Sequence, residues 1–173
     1  MKKKKSLVVL AFVLAVILIP VGAFAVKNAV QPSATGGGFV QKTVDRLNLT
    51  VDKTEFVFKR SADNTYNISF TFSAEKTEAD FYGVINSLSI DKISSEHILF
   101  TAADGSPQYV INDTVLPASG GKTQPLSWTV EVPCSIQGTG TVNGSIRIEY
   151  TSGVTQQAAD SHLLEIPLMV TIK

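Results

Sequence analysis

The sequence predicts an all-β protein, a two-sheet sandwich of eight or nine short strands, preceded by an N-terminal signal peptide or signal-anchor helix. Three observations predict it. Apolar residues alternate with polar ones at period two in several stretches after Asp45, glycine- and serine-rich turns separate those stretches, and no charged residue lies between Lys5 and Lys27.

The leader comes first. Lys2 to Lys5 form a cationic cluster, and Leu7 to Ile19 are thirteen consecutive apolar residues, the length of a signal-peptide core and short of a full membrane span. Pro20 and Gly22 break the helix. Ala23 and Ala25 flank Phe24 in the small-x-small pattern that signal peptidase reads, so cleavage is expected after Ala25. A retained anchor is the other reading, because Ser6 to Val26 is uncharged for 21 residues, enough to cross about 30 Å of hydrocarbon. In either case the lysine cluster stays in the cytoplasm and the chain beyond the leader is exported to the extracellular side or the cell surface. Residues 1–25 are thus a signal peptide or membrane anchor. Residues 26–38, rich in Pro, Ser and Gly without periodicity, read as a flexible linker, and 39–173 as the β-sandwich domain.

Within the domain the strands come in order. Leu47, Leu49 and Val51 alternate with polar neighbours, then Tyr66, Ile68, Phe70 and Phe72, then Leu126, Trp128, Val130 and Val132. The pattern returns in Val142, Ile146, Ile148 and Tyr150 and ends in Leu164, Ile166, Leu168, Val170 and Ile172. Such segments are strands with one face inward. Weaker strands are expected at Glu55 to Arg60, Tyr82 to Ile90, His97 to Thr101 and Gln108 to Ile111. Turns are expected at Ala62 to Thr65, Ala103 to Pro107, Ser119 to Lys122, Gln137 to Gly140 and Ser152 to Asp160. Glu75 to Asp80 has the composition of a single helical turn, and no longer stretch beyond the leader has a helical period. Short strands at this spacing fit a sandwich of immunoglobulin-like architecture better than a closed barrel or a propeller, although the cysteine pair of antibody domains is missing.

Composition excludes several functions. Beyond residue 25 there are eleven basic and fifteen acidic residues, a formal charge of eleven minus fifteen, or −4. Nucleic acid is therefore not an expected partner, since phosphate backbones require a basic footprint. The only cysteine, Cys134, forbids an internal disulfide. It reads as a small buried hydrophobe, with an intermolecular disulfide as the other reading.

No catalytic, metal or cofactor signature is present, and no cofactor is expected. His97 and His162 are the only histidines and stand in no metal-binding spacing. Ser95, Glu96 and His97 supply the names of a triad, but neighbours on a strand point to opposite faces and cannot converge. Gly138, Gly140 and Gly144 precede a strand, where a dinucleotide fingerprint must open a helix. Leu116 to Gly120 spell LPASG, a sortase-like pattern too far from the C-terminus to act as one and better read as a turn. Asn48, Asn67, Asn112 and Asn143 each begin an Asn-x-Ser/Thr triplet, ordinary on a solvated sheet face. Trp128 is in register with apolar residues and reads as core. Tyr82 and Tyr109 are less constrained by their neighbours and are the candidate surface-contact residues.

The stretch from Val115 to Ile148 resembles bacterial cell-adhesion-related Ig-like modules. In these a Gly-bearing loop, here Ser119, Gly120 and Gly121, leads into a strand ending in Pro, here Trp128 to Pro133, and a later strand, here Ser145 to Tyr150, returns beside it. The resemblance covers about a third of the domain and implies an extracellular spacer or binding role, without transferable site residues. The expected function is therefore a non-enzymatic surface or envelope module, with an envelope protein or polysaccharide as partner and the membrane as a further one if the leader is retained. Two alternatives stand beside it: a structural subunit assembling by strand exchange, with Phe39 to Val51 as a mobile donor strand, and a secreted hydrolase.

Overall fold

The computed structural model describes residues 35–91, 94–95, 98–102 and 111–173. Ala23, Ala25, His97 and Tyr109 lie outside them, as does most of the segment expected as a strand at Gln108 to Ile111. The chain forms two six-stranded sheets. Sheet A runs β1 (Thr35–Gly37), β4 (Glu55–Phe58), β14 (Ala159–Ile172), β13 (Gly140–Gly153), β6 (Tyr82–Asp91), β9 (Asn112–Val115). Sheet B runs β2 (Val40–Val44), β3 (Leu47–Val51), β5 (Thr65–Lys76), β12 (Leu126–Gln137), β8 (Ile98–Ala102), β7 (Ser94–Ser95). A small hairpin, β10 (Ala118–Ser119) and β11 (Lys122–Thr123), stands apart. β4 and β14 pair in parallel, and the remaining pairs are antiparallel.

Alternation places the core. Along β5 every second residue from Tyr66 to Lys76 is buried, and β13 and β14 bury Val142, Ile146, Ile148, Tyr150, Ile166, Leu168, Val170 and Ile172 against it. Phe58 and Tyr66 pack with ring centroids 5.1 Å apart across the two sheets. The Tyr66 hydroxyl accepts a hydrogen bond from the Ser61 amide at 3.1 Å, so the buried phenol is satisfied. Each large apolar side chain removed from water contributes about 1.5 to 3 kcal/mol, which lets the sandwich hold without a disulfide. Trp128 stacks on Phe72 at 5.4 Å and lies half-buried at the rim of this core.

Several elements differ from the sequence reading. Thr35–Gly37, read as linker, is a strand antiparallel to β4. Its contribution is main-chain hydrogen bonding, so Thr-Gly-Gly shows no apolar period to detect. Phe39 to Val51 is not a free donor strand. It folds as the β2–β3 hairpin within sheet B, with Leu47, Leu49 and Val51 fully buried. Within Glu75 to Asp80, Glu75 and Lys76 end β5 and the remaining four residues form a bend and turn, with no helical turn. The stretch 119–122 is the tip of the β10–β11 hairpin, where Gly120 and Gly121 adopt φ of 60° and 72°. Leu116 of the LPASG pattern is buried and its amide donates to the Gly83 carbonyl at 2.9 Å. The described residues hold fourteen strands, more than eight or nine, because β1, β7, β10 and β11 are pieces of two or three residues and the edge strand β2 shows no apolar alternation long enough to be expected.

Candidate functional site

A β-bulge organises the outer face of sheet A. Glu149 pairs with Ser87 and Tyr150 with Ile85, which leaves Asn86 as the extra residue of β6. The bulge reverses the strand's parity, so Leu88 and Ile85 both point inward while Asn86 and Ser87 both point to solvent. Opposite it, Asp113 of β9 adopts φ of 38° and its carboxylate accepts from Asn86 Nδ2 at 2.8 Å. Thr151 Oγ1 donates to Asn86 Oδ1 at 2.8 Å, and Ser87 Oγ donates to Glu149 Oε2 at 2.9 Å. These bonds fix the orientation of the amide and the carboxylate.

Beside the bulge lies an open cleft of about 320 Å³ lined by Asn86, Glu149, Tyr150, Ser161, His162 and Leu163. Its groups are the amide of Asn86, the carboxylate of Glu149, the hydroxyl of Ser161 and the rings of Tyr150 and His162 around Leu163, which is 47% exposed. Further along the same face Arg147 pairs with Asp91 and Glu165, each at 3.4 Å.

At the floor of the cleft Tyr150 and His162 are cross-strand neighbours whose rings stack at 5.1 Å. Both reach Asp45 at the tip of the β2–β3 hairpin. The Tyr150 hydroxyl donates to Asp45 Oδ2 at 2.6 Å, and His162 Nδ1 lies 3.5 Å from the same oxygen. Burial, then the hydrogen bond and negative charge of Asp45, push the Tyr150 phenol above its ordinary range. Asp45 and Arg46 both sit at positive φ, 45° and 62°, as a two-residue hairpin turn demands and as residues with a Cβ resist. Tertiary contacts hold them there, since Arg46 lies 4.6 Å over the Phe81 ring and 3.7 Å from Glu78.

Of the residues named from sequence, Tyr82 is half-buried at the start of β6, away from the cleft residues, and Tyr109 is outside the described residues. The structure brings His162 to a carboxylate 117 positions away in sequence (162 − 45), a meeting that only the sheet-to-sheet packing creates. Nothing in the sequence marked Asn86 or Glu149. The one local signal was the break in alternation between Ile85 and Leu88. Among the described residues no three His, Cys, Asp or Glu side chains group as metal ligands.

No protein-family model matches this chain, and no curated protein matches it. Among solved structures it is similar to the CooA pilin subunit from enterotoxigenic Escherichia coli, at 12% sequence identity and a TM-score of 0.36 over 69% of this chain and 90% of that one. The likeness is weak, and the reading of the site rests on the chain's own geometry.

Proposed function

We propose that this chain is an exported envelope or cell-surface module whose β-sandwich binds a partner and performs no catalysis. The observation that carries the reading is the bulge-organised cleft at Asn86. Its polar groups are held in place by hydrogen bonds donated by Thr151 and Ser87 and by the bond that Asn86 donates to Asp113, and they surround an exposed leucine on an open surface. Fixed donors and acceptors beside an apolar contact suit recognition of a protein or polysaccharide surface. The Asp45–Tyr150–His162 contact serves as a strut between the sheets. The lysine cluster and apolar run of the leader support export.

The test is capture from envelope extracts and cell-wall glycans by the tagged full chain in mild detergent, compared with the Glu149→Ala and Asn86→Ala variants. A ligand retained by wild type and lost by both variants is the expected result. Equal capture by all three would remove the cleft from the account.

The proximity of His162 to Asp45 favours a second reading, a hydrolase with this pair as base and orienting carboxylate. His162→Ala separates the two. A general base contributes about two to four orders of magnitude in rate, so any hydrolytic activity would collapse in a variant that is still folded. Capture of a ligand by the wild type with no hydrolysis of it supports the first reading.

A further inference from the structure

Among the described residues, part of the edge of sheet A beside this cleft is unpaired. β4 covers only Met169 to Ile172 of β14, and no described residue pairs with Ala159 to Leu168 on that side. The Met169 amide donates to the Thr54 carbonyl at 2.8 Å, and the β13–β14 register is unbroken, so odd-numbered residues of β14 turn their main-chain groups away from β13. Ser161, Leu163 and Glu165 therefore present their amides and carbonyls to this edge. Pro167 has the same parity and costs the ladder no hydrogen bond.

Sheet B continues beneath this flank. Gly38 and Phe39 carry the chain from β1 across to β2, residues 52–54 carry it from β3 back to β4, and at the other end of β2 Asp45 reaches His162. Val40, Lys42 and Val44 pair with Val51, Leu49 and Leu47, all fully buried, so the three β2 side chains start from the inner face. Val40 and Val44 are half-buried, but Lys42 between them is exposed and has no ion-pair partner among the described residues. Among the described residues, sheet A thus leaves the inner face of β2 uncovered at Lys42.

We propose that this opening receives an extended segment of a partner protein, which adds to β14 through the main-chain groups of Ser161, Leu163 and Glu165. Lys42 selects a segment with an acidic side chain flanked two positions away on each side by apolar ones, meeting Val44 and Val40. The charge of Lys42 decides the occupant. Residues 26–34 of this chain carry no acidic residue and a lysine at 27, so they do not complement it. The inference rests on the binding reading above and narrows the partner to protein.

The test uses the full-length isotope-labelled chain in detergent micelles and two heptapeptides, TVTETVT and TVTKTVT. The glutamate peptide should shift the Ser161, Leu163 and Glu165 amides and slow their hydrogen exchange, and the lysine peptide should bind at least tenfold more weakly. Lys42→Glu should reverse that preference. Leu163→Pro removes a donor that faces the open edge, so it should abolish peptide binding with the melting temperature nearly unchanged. Equal binding of both peptides, protection confined to other strands, or concentration-dependent protection of these amides without peptide would overturn the proposal. If neither peptide binds but a soluble cell-wall glycan shifts Asn86 and Ser87, strand addition falls and the binding reading stands. If neither peptide nor glycan produces a response and the capture experiment also fails, both fall.

Discussion

Tyr150 shows how one side chain can tie two sheets together. Its ring completes the inner face of β13, while its hydroxyl crosses to the carboxylate at the tip of the β2–β3 hairpin. The folded protein holds the phenol protonated above its ordinary value of 10.0, so above that pH the unfolded chain releases a proton that the native state keeps. Stability from this group is complete below pH 10 and is lost as pH rises beyond it. Chemical denaturation at pH 9 and pH 11 should therefore show a larger loss for wild type than for Tyr150→Phe, and parallel losses would refute the assignment. At neutral pH the same substitution removes a hydrogen bond to a charged acceptor and should cost about 1.5 to 3 kcal/mol. Cys134 makes the opposite kind of contribution. It is 4% exposed and burial pushes its thiol up to about 12, so it lacks the thiolate character that reactivity requires. A thiol reagent at pH 8 should leave Cys134 unmodified until denaturant is added, and rapid labelling of the native protein would contradict the packing described.

At the scale of the element, the β13–β14 hairpin dominates the fold, pairing fourteen residues of each strand from Gly140 with Ile172 to Gly153 with Ala159. Its turn closes tightly over Gly153. A Cβ there would lie 2.3 Å from the Ala158 carbonyl oxygen and 2.5 Å from Ala159 Cα, both main-chain atoms that cannot swing aside. Gly153→Ala should therefore cost about 1 to 3 kcal/mol by forcing the hairpin apart, measured as a shift of the denaturation midpoint. The β4–β5 turn is tightened differently. Asp63 accepts from the Ser61 hydroxyl and from the Thr65 amide at 3.1 Å, and these bonds, the hydroxyl first, lower its carboxyl from 3.8 to about 2. Its contribution is present above pH 3.8 and fades as pH falls towards 2, so Asp63→Asn should flatten the acid limb of the stability profile. An unchanged limb would show that the turn holds without the charge.

For the whole molecule, the expectation is a sandwich that stands on its apolar core. Two sheets meet over a continuous set of buried side chains, from Leu47 in sheet B to Ile172 in sheet A. Circular dichroism of the purified full chain should show a β-type spectrum insensitive to chelator and to reductant, and melting on chelation would reveal a metal dependence. Export belongs to this scale as well. Added protease should reach the β-sandwich in intact cells or find it in the medium, and replacing Lys2 to Lys5 by glutamate should impair that delivery. Recovery of unprocessed protein in the cytosol would refute it.

The amino-acid sequence by itself determined the all-β class and the inward face of each long strand, because a two-residue period over stretches such as Tyr66 to Phe72 or Leu164 to Ile172 has only one way to bury its apolar side chains. It also carried the burial of Cys134, whereas Trp128, expected in the core, lies half-buried at its rim. Tertiary structure alone decided the rest. Strand β1 exists through main-chain pairing with β4, which no side-chain pattern encodes. The bulge at Asn86 lies in the pairing of β6 with β13, while β6 keeps its register with β9, and the change of parity places Asn86 and Ser87 together beside the cleft. Asp45 meets Tyr150 and His162 only once a hairpin of one sheet folds over the end of the other. The opening above Lys42 is decided the same way, since whether a strand edge is covered depends on where a distant strand stops, and β4 ends its cover of β14 at Met169.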